Sequence, residues 1–509
     1  MSRWIAVTVA ALLSLGCTER RVPAPSGYAS TWHFPQGVEK DVDILFVVAN
    51  TAGMAAEQHN LSRSFPRLIE ALRSDALGDR IPNVHIGVVS SDLGAGDYGL
   101  PNCQVAGGDG GKLQAQPRVA GCTPPSQPFI SHADGVTNIK SGTRDPAEQV
   151  KEAFQCIAEI GTGGCGFQQS IESARRALDP KLKVNPGFIR EDALLAVVFV
   201  ATEDDCSARK PQLYDPSQSS LTDPLGPLTH FRCFEFGIRC DINDRTKPGP
   251  REDCKPAYDW LYTVDEYIEF FKGLKPPGRV LMFAVAGPVD TVEVGMDGQY
   301  PMLRASCQTS TTGLAGPAVR IKALLDGFGK DGFFNTGIDP SLKHDEPVNI
   351  CIHDYSPALR LLGRKVAGRL SGVQCLASPP LTATGGLVCH QGVRLGDGEV
   401  CRQSCLERAD CVVKELVNAG TSQEQATVIP RCTDGAFASP DDRSCGATCP
   451  CWRIVPRAGC RPELDGSPYG FEILRQRDAP KGAVAEVSCS ISTHRWDSEE
   501  VAALPRCSI

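Results

Sequence analysis

The chain carries a set of short, uninterrupted apolar runs, separated by stretches whose apolar positions recur at helical spacing. Residues 44–48 (ILFVV), 84–90 (VHIGVVS), 194–200 (LLAVVFV) and 280–286 (VLMFAVA) have strand length and little polar alternation, the pattern of strands buried on both faces. Leu61, Phe65, Leu68, Ile69 and Leu72 fall on one face of a helix expected over 55–72, with a kink at Pro66. Residues 150–160, 167–178, 264–274, 318–328 and 356–367 read as further helices. Buried strands alternating with helices predict an α/β domain over residues 41–371, a doubly wound, mostly parallel sheet covered on both faces.

The pattern fails in two kinds of place. Long irregular insertions at 92–148, 206–258 and 287–316 each carry cysteine, so local disulfides are expected to order them. Beyond residue 371 the periodicity is lost. Residues 372–509 contain twelve cysteines, and only short β-like pieces such as 471–474 (FEIL) and 484–487 (VAEV). A separate, small Cys-rich C-terminal domain is expected there, stapled by disulfides because its core is thin. A chain of 509 residues is also too long for one compact core.

The N-terminus adds a compartment. Arg3 precedes an apolar run from Trp4 to Leu15, followed by Gly16 and Cys17. That run suits a signal peptide over 1–16 and is too short for a membrane anchor. A small residue directly before cysteine resembles the bacterial lipobox, which implies lipidation of Cys17. Removing Cys17 from the 23 cysteines leaves 22, an even number that suits a disulfide framework in an exported chain. Residues 17–40 read as the lipidated cysteine and a tether. Thr18 at the next position implies the outer membrane by resemblance to lipoprotein sorting, so the chain is expected in the cell envelope, outside the cytoplasm. A net charge of −8 with no dominant basic run argues against nucleic acid as a partner.

Ligands of open α/β sheets bind at the carboxyl ends of the strands. Three segments are expected to meet there: 49–54 (ANTAGM), 161–166 (GTGGCG) and 201–206 (ATEDDC). With their flanks, DILFVVANTAGM, IGTGGCGFQQSIESARRAL and LLAVVFVATEDDCS, they resemble the three motifs of von Willebrand factor type A domains, of the cysteine-rich bacterial lipoprotein kind. The resemblance spans about residues 40–370. It implies a metal-ion-dependent adhesion site built from an Asp, two Ser, a Thr and a later Asp. At those positions stand Ala49, Thr51, Gly53, Thr162 and Thr202, so the site is degenerate and the two matching hydroxyls, of Thr51 and Thr162, are too few for Mg²⁺. No cofactor is therefore expected. The alternative is a metal-dependent adhesin that holds Mg²⁺ or Mn²⁺ through Glu203, Asp204 and Asp205; against it, these acids read as loop, capping or ion-pairing residues.

Enzyme motifs fail when tested. AGGDGGKL has Ala106 at the first glycine position of a P-loop and Leu113 after its lysine, and neither H-E-x-x-H nor G-x-S-x-G occurs. No catalytic residue is assigned. His353 beside Cys351 keeps open a hydrolase or redox protein if a free thiol joins it. The expected function is a lipid-anchored protein that binds another protein without metal, with a structural envelope role as a further alternative.

Overall fold

A computed structural model describes residues 27–36, 41–73, 80–308, 313–336, 348–370, 374–376, 380–381, 409–432, 449–456, 469–477, 479–480 and 482–492. Cys17 and the signal segment lie outside these residues. The fold is mixed α/β, and its largest sheet has seven strands. Their order is Gly332–Phe334, Val280–Ala286, Leu194–Ala201, Asp41–Val48, Asn83–Ser90, Ile130–Ala133 and Val136–Thr137. The strands through Asn83–Ser90 run parallel, Ile130–Ala133 turns back antiparallel to Asn83–Ser90, and Val136–Thr137 is antiparallel to Ile130–Ala133 in turn.

All four apolar runs are strands of this sheet, and Leu194–Ala201 and Val280–Ala286 are buried along their whole length. Burial of both faces explains their unbroken apolarity. The helix expected over 55–72 divides into Ala55–Ser64 and Pro66–Leu72, because Pro66 has no N–H to continue the ladder. Phe65, at the break, stacks on Phe154 with ring centroids 3.6 Å apart. Pro66–Leu72 packs closely on Ser356–Leu370, where Gly363 permits the approach: a Cβ there would lie 2.6 Å from that of Ala71.

The insertions are ordered by disulfides, as expected. Cys103–Cys165 and Cys122–Cys156 hold the first, Cys206–Cys233 and Cys240–Cys254 the second, and Cys307–Cys351 the third. Buried arginines assist. Arg232 donates to the carbonyls of Leu213, Asp215, Gln218, Gly226 and Pro227, so one guanidinium organises a whole loop beside the small apolar cluster of Leu213 and Tyr214. The Gly-rich AGGDGGKL stretch is also structural: Gly108 has φ +51° and lies against Asp92, whose carbonyl accepts from the Asp109 N–H.

Two expectations about boundaries need correction. The segment assigned as tether contains a nine-residue strand, Gly27–Pro35, paired in antiparallel register with Val484–Ser492. The Cys-rich module is therefore built from both ends of the chain. Its larger sheet has the order Gly27–Pro35, Val484–Ser492, Cys411–Val417, Gln425–Val428. Trp32 and Phe34 enter its core beside Val413, Trp452, Ile454, Phe471 and Val487. Sequence reading missed this because Trp32 and Phe34, which enter the core, stand in a Pro- and Ser-containing stretch with little apolar pattern. Its partner is 457 residues away.

The amino end of the seven-stranded sheet carries a buried charge. Asp43, which opens the DILFVVANTAGM motif, accepts from Arg190 Nε at 2.8 Å and from the Arg190 N–H at 2.7 Å. Burial raises its carboxyl above the ordinary range and the Arg190 guanidinium opposes this. The acid of the motif thus stands at the end of the strand opposite its turn.

Candidate functional site

The three motif segments meet at the carboxyl end of the sheet. The Gly164 N–H donates to the Asn50 carbonyl at 2.9 Å, and the Cys206 N–H to the Gln168 carbonyl at 2.7 Å. The Gln58 amide ties the first two segments, donating to the carbonyls of Ala49 and Gly161 at 2.9 and 2.8 Å and accepting from the Gly161 N–H. The strand ends position these groups: the Ala49 N–H continues the ladder to the Val200 carbonyl.

At the centre lies a residue that sequence reading did not select. The side-chain amide of Gln168, fully buried, donates to Thr51 Oγ1 at 3.0 Å and to Thr202 Oγ1 at 3.3 Å. Thr202 Oγ1 in turn donates to Met54 Sδ at 3.4 Å. Whichever way the amide is turned, the carboxamide fills the space between the two hydroxyls. Thr162 does not join this group; it is half-buried in the loop that Gly164 fastens to Asn50. Ala49 is buried and Gly53 exposed, and a Cβ at Gly53 would meet nothing within 4 Å. A signal for Gln168 existed in sequence, since FQQS puts two amides directly before the helix Ser170–Leu178.

Each acid of the Glu203–Asp205 run has a partner. Asp204 accepts from the N–H groups of Arg320 and Ile321 at the start of the helix Val319–Asp326, at 2.8 and 3.1 Å. Asp205, fully buried, accepts from the Ile171 N–H at 2.9 Å and from Ser207 Oγ at 2.6 Å, and pairs with the equally buried Arg320 at 3.3 Å. Two neighbouring carboxylates therefore sit at the positive ends of two different helices. Arg320 spends its remaining donors on the carbonyls of Tyr262, Gly237 and Ala257. Burial, reinforced by the Asp205 charge, holds the phenols of Tyr214 and Tyr267 well above their ordinary range. Arg209, close by in sequence, pairs with Glu266 and not with these acids.

Glu203 is the outermost of the three. It accepts from His230 Nδ1 at 2.5 Å, beside Phe167 and against Gly166, where a Cβ would lie 2.9 Å from His230 Nε2. The hydrogen bond to Glu203 raises His230 above its ordinary value of 6.5, while burial opposes it. A raised histidine contributes stability that is complete below 6.5 and lost as pH rises through its folded value. In the Glu203→Gln variant the carboxylate charge is gone, so an NMR titration of His230 is expected to show its midpoint moving downward. An unchanged midpoint would mean the two side chains do not interact in solution.

The hydrolase or redox alternative needed a free thiol beside His353, and the neighbouring Cys351 is bonded to Cys307. Among the described residues, no group of three or more His, Cys, Asp or Glu side chains is placed to hold a metal, and no helix is long and apolar enough to cross a membrane. The seven described disulfides mark an extracytoplasmic protein.

No family model matches the chain, and no curated protein matches it. Among solved structures, the pilus adhesin SpaC from Lactobacillus rhamnosus GG in its open conformation aligns with 93% of this chain and 42% of its own, at 9% identity and a TM-score of 0.29. The pilus adhesin RrgA from Streptococcus pneumoniae aligns with 92% of this chain and 59% of its own, at 10% identity and a TM-score of 0.20. This chain thus spans less than two thirds of either adhesin, and at these scores the likeness carries no argument about its fold or its partner.

Proposed function

We propose that the protein is a lipid-anchored, extracytoplasmic protein of von Willebrand factor type A architecture that binds another protein without a metal ion and catalyses no reaction. The observation that carries this reading is the Gln168 carboxamide between Thr51 and Thr202. A cation at that position needs oxygen ligands converging on it. Here the position is taken by a neutral side chain that supplies its own donor, and the nearby carboxylates Asp204 and Asp205 are engaged in helix capping and an ion pair. The parallel strands, turn and helix are retained because they form the core, whatever the turn binds. Cys17 supplies the anchor, which keeps the sheet's carboxyl edge available to a partner in the envelope.

Two measurements test the reading. Cys17→Ser is expected to release the protein from the membrane fraction into the soluble one; retention would remove the anchor from the account. Crosslinking in whole envelopes, with and without EDTA, is expected to give the same partner bands in the same yield. A band abolished by EDTA and restored by Mg²⁺ would replace this reading with a metal-dependent one.

A further inference from the structure

The second insertion closes on a cleft of about 360 Å³, lined by residues 239–241, 253 and 255–259. Its frame is short and covalently closed. Ile238–Arg239 pairs antiparallel with Lys255–Pro256, and the Cys240–Cys254 disulfide joins the ends of the loop between them. Within that loop the Asp241 N–H donates to the Glu252 carbonyl at 3.0 Å, and the Glu252 N–H returns to Asp241 Oδ1 at 2.7 Å. Ala257, the buried member of the lining, donates its N–H to the Gly237 carbonyl at 2.8 Å, and its carbonyl accepts from the buried Arg320 at 3.4 Å. The cleft is thus tied to the core and to a disulfide, so its shape exists before any ligand arrives.

The lining holds groups that the fold itself does not need. Arg239 and Lys255 stand directly opposite one another in the ladder, an arrangement in which like charges repel. Arg239 donates to the Glu235 carbonyl at 3.1 Å and lies 3.7 Å from Asp259, an exposed and therefore weak ion pair. Asp253 has φ +52°, a left-handed conformation uncommon for a residue with a side chain. Tyr258, 68% exposed, carries the most exposed aromatic ring among the described residues. Repelling cations, a strained acid and a bare aromatic ring in one cleft point to a ligand.

The same lining selects the ligand's chemistry. Five charged side chains leave no place for an apolar molecule. A simple anion would meet Asp241, Asp253 and Asp259, and a simple cation would meet Arg239 and Lys255. Hydroxyl groups, which both donate and accept, satisfy charges of either sign. The volume is near the lower end of small-molecule clefts, about 300–1,000 Å³, which suits a short run of rings and not a folded partner. A pyranose of glucose configuration carries its hydroxyls around the rim and C–H groups on its faces, and such a face packs on an aromatic ring. We propose that this cleft is a saccharide-binding site for glucose-configured units, glucose or N-acetylglucosamine, with a sugar face on Tyr258 and rim hydroxyls held by Arg239, Asp253, Lys255 and Asp259. The site belongs to the second insertion and does not depend on what the carboxyl edge of the sheet binds.

Saturation-transfer NMR on the intact oxidised chain tests this, with maltotriose, cellotriose and triacetylchitotriose as probes at millimolar concentration. At least one is expected to receive saturation, most strongly at its ring C–H protons; silence from all three would overturn the proposal. Tyr258→Ala is expected to weaken that binding at least about tenfold and Tyr258→Phe to hold it within about twofold, because the ring and not the hydroxyl makes the contact. Since Tyr258 is exposed, both variants are expected to keep the circular dichroism of the natural protein. Undiminished binding by a folded Tyr258→Ala variant would place the saccharide elsewhere and overturn the site. Glycylglycine at equal concentration is expected to leave the bound sugar in place; displacement would reassign the cleft to zwitterions and overturn the saccharide class.

Discussion

Asp205→Ala is expected to destabilise the α/β domain by about 3–5 kcal/mol, the usual cost of leaving a buried partner charge unpaired. Arg320 is the charge left behind, fully buried among three carbonyls. The substitution also strips the Ile171 N–H of its acceptor at the start of the helix Ser170–Leu178, and that helix adjoins Gln168. Fold and site therefore fail together. Chemical denaturation of the oxidised protein, followed by far-UV circular dichroism, reads the change. Replacing both partners, as Asp205→Leu with Arg320→Met, is expected to recover much of the loss, since removing an ion pair whole can be nearly neutral. A cost for Asp205→Ala within about 0.5 kcal/mol, as for an ordinary surface change, would show that the pair is not structural.

Calorimetric titration of Mg²⁺ or Mn²⁺ into the natural protein is expected to show no binding heat, and on the proposed reading a defined set of substitutions creates a site. Ala49→Asp, Gly53→Ser and Thr202→Asp supply the missing oxygens, and the open space around Gly53 accepts a serine side chain. These changes alone are expected to fail, because the Gln168 amide, lying between Thr51 and Thr202, would donate to the new carboxylates. Adding Gln168→Thr removes the internal occupant and supplies a hydroxyl. The fourfold variant is then expected to bind with one-to-one stoichiometry, as a hard cation surrounded by oxygens does. Stoichiometric binding by the natural protein would mean that the carboxamide swings aside, and the metal-independent reading would fall. Binding by the threefold variant equal to that of the fourfold one would show that Gln168 is no obstacle.

The two results bear on different layers of the same edge. Glutamine at 168 and glutamine at 58 stitch the motif segments together, much as a shared ion would, but with directional neutral hydrogen bonds. Such bonds do not dissociate with a chelator. Outside them, Glu203 and His230 pair with one another at the same edge.

Much of the fold was legible along the chain. The runs at 44–48, 84–90, 194–200 and 280–286 could only be strands buried on both faces, and their spacing required helices between them. The break at Pro66 and the disulfide-held insertions followed from local chemistry, and the lack of a carboxylate in the turn 49–54 is plain in the sequence itself. Periodicity and missing functional groups are local properties, so they can be read without coordinates. Tertiary structure alone decided which distant groups meet. It brought Gln168 rather than Thr162 between Thr51 and Thr202, gave Asp205 to Arg320, and seated Gly27–Pro35 on Val484–Ser492 across almost the whole chain. Each of these is a buried polar or backbone group satisfied by a partner remote in sequence, and burial leaves no trace in composition or spacing that could name the partner.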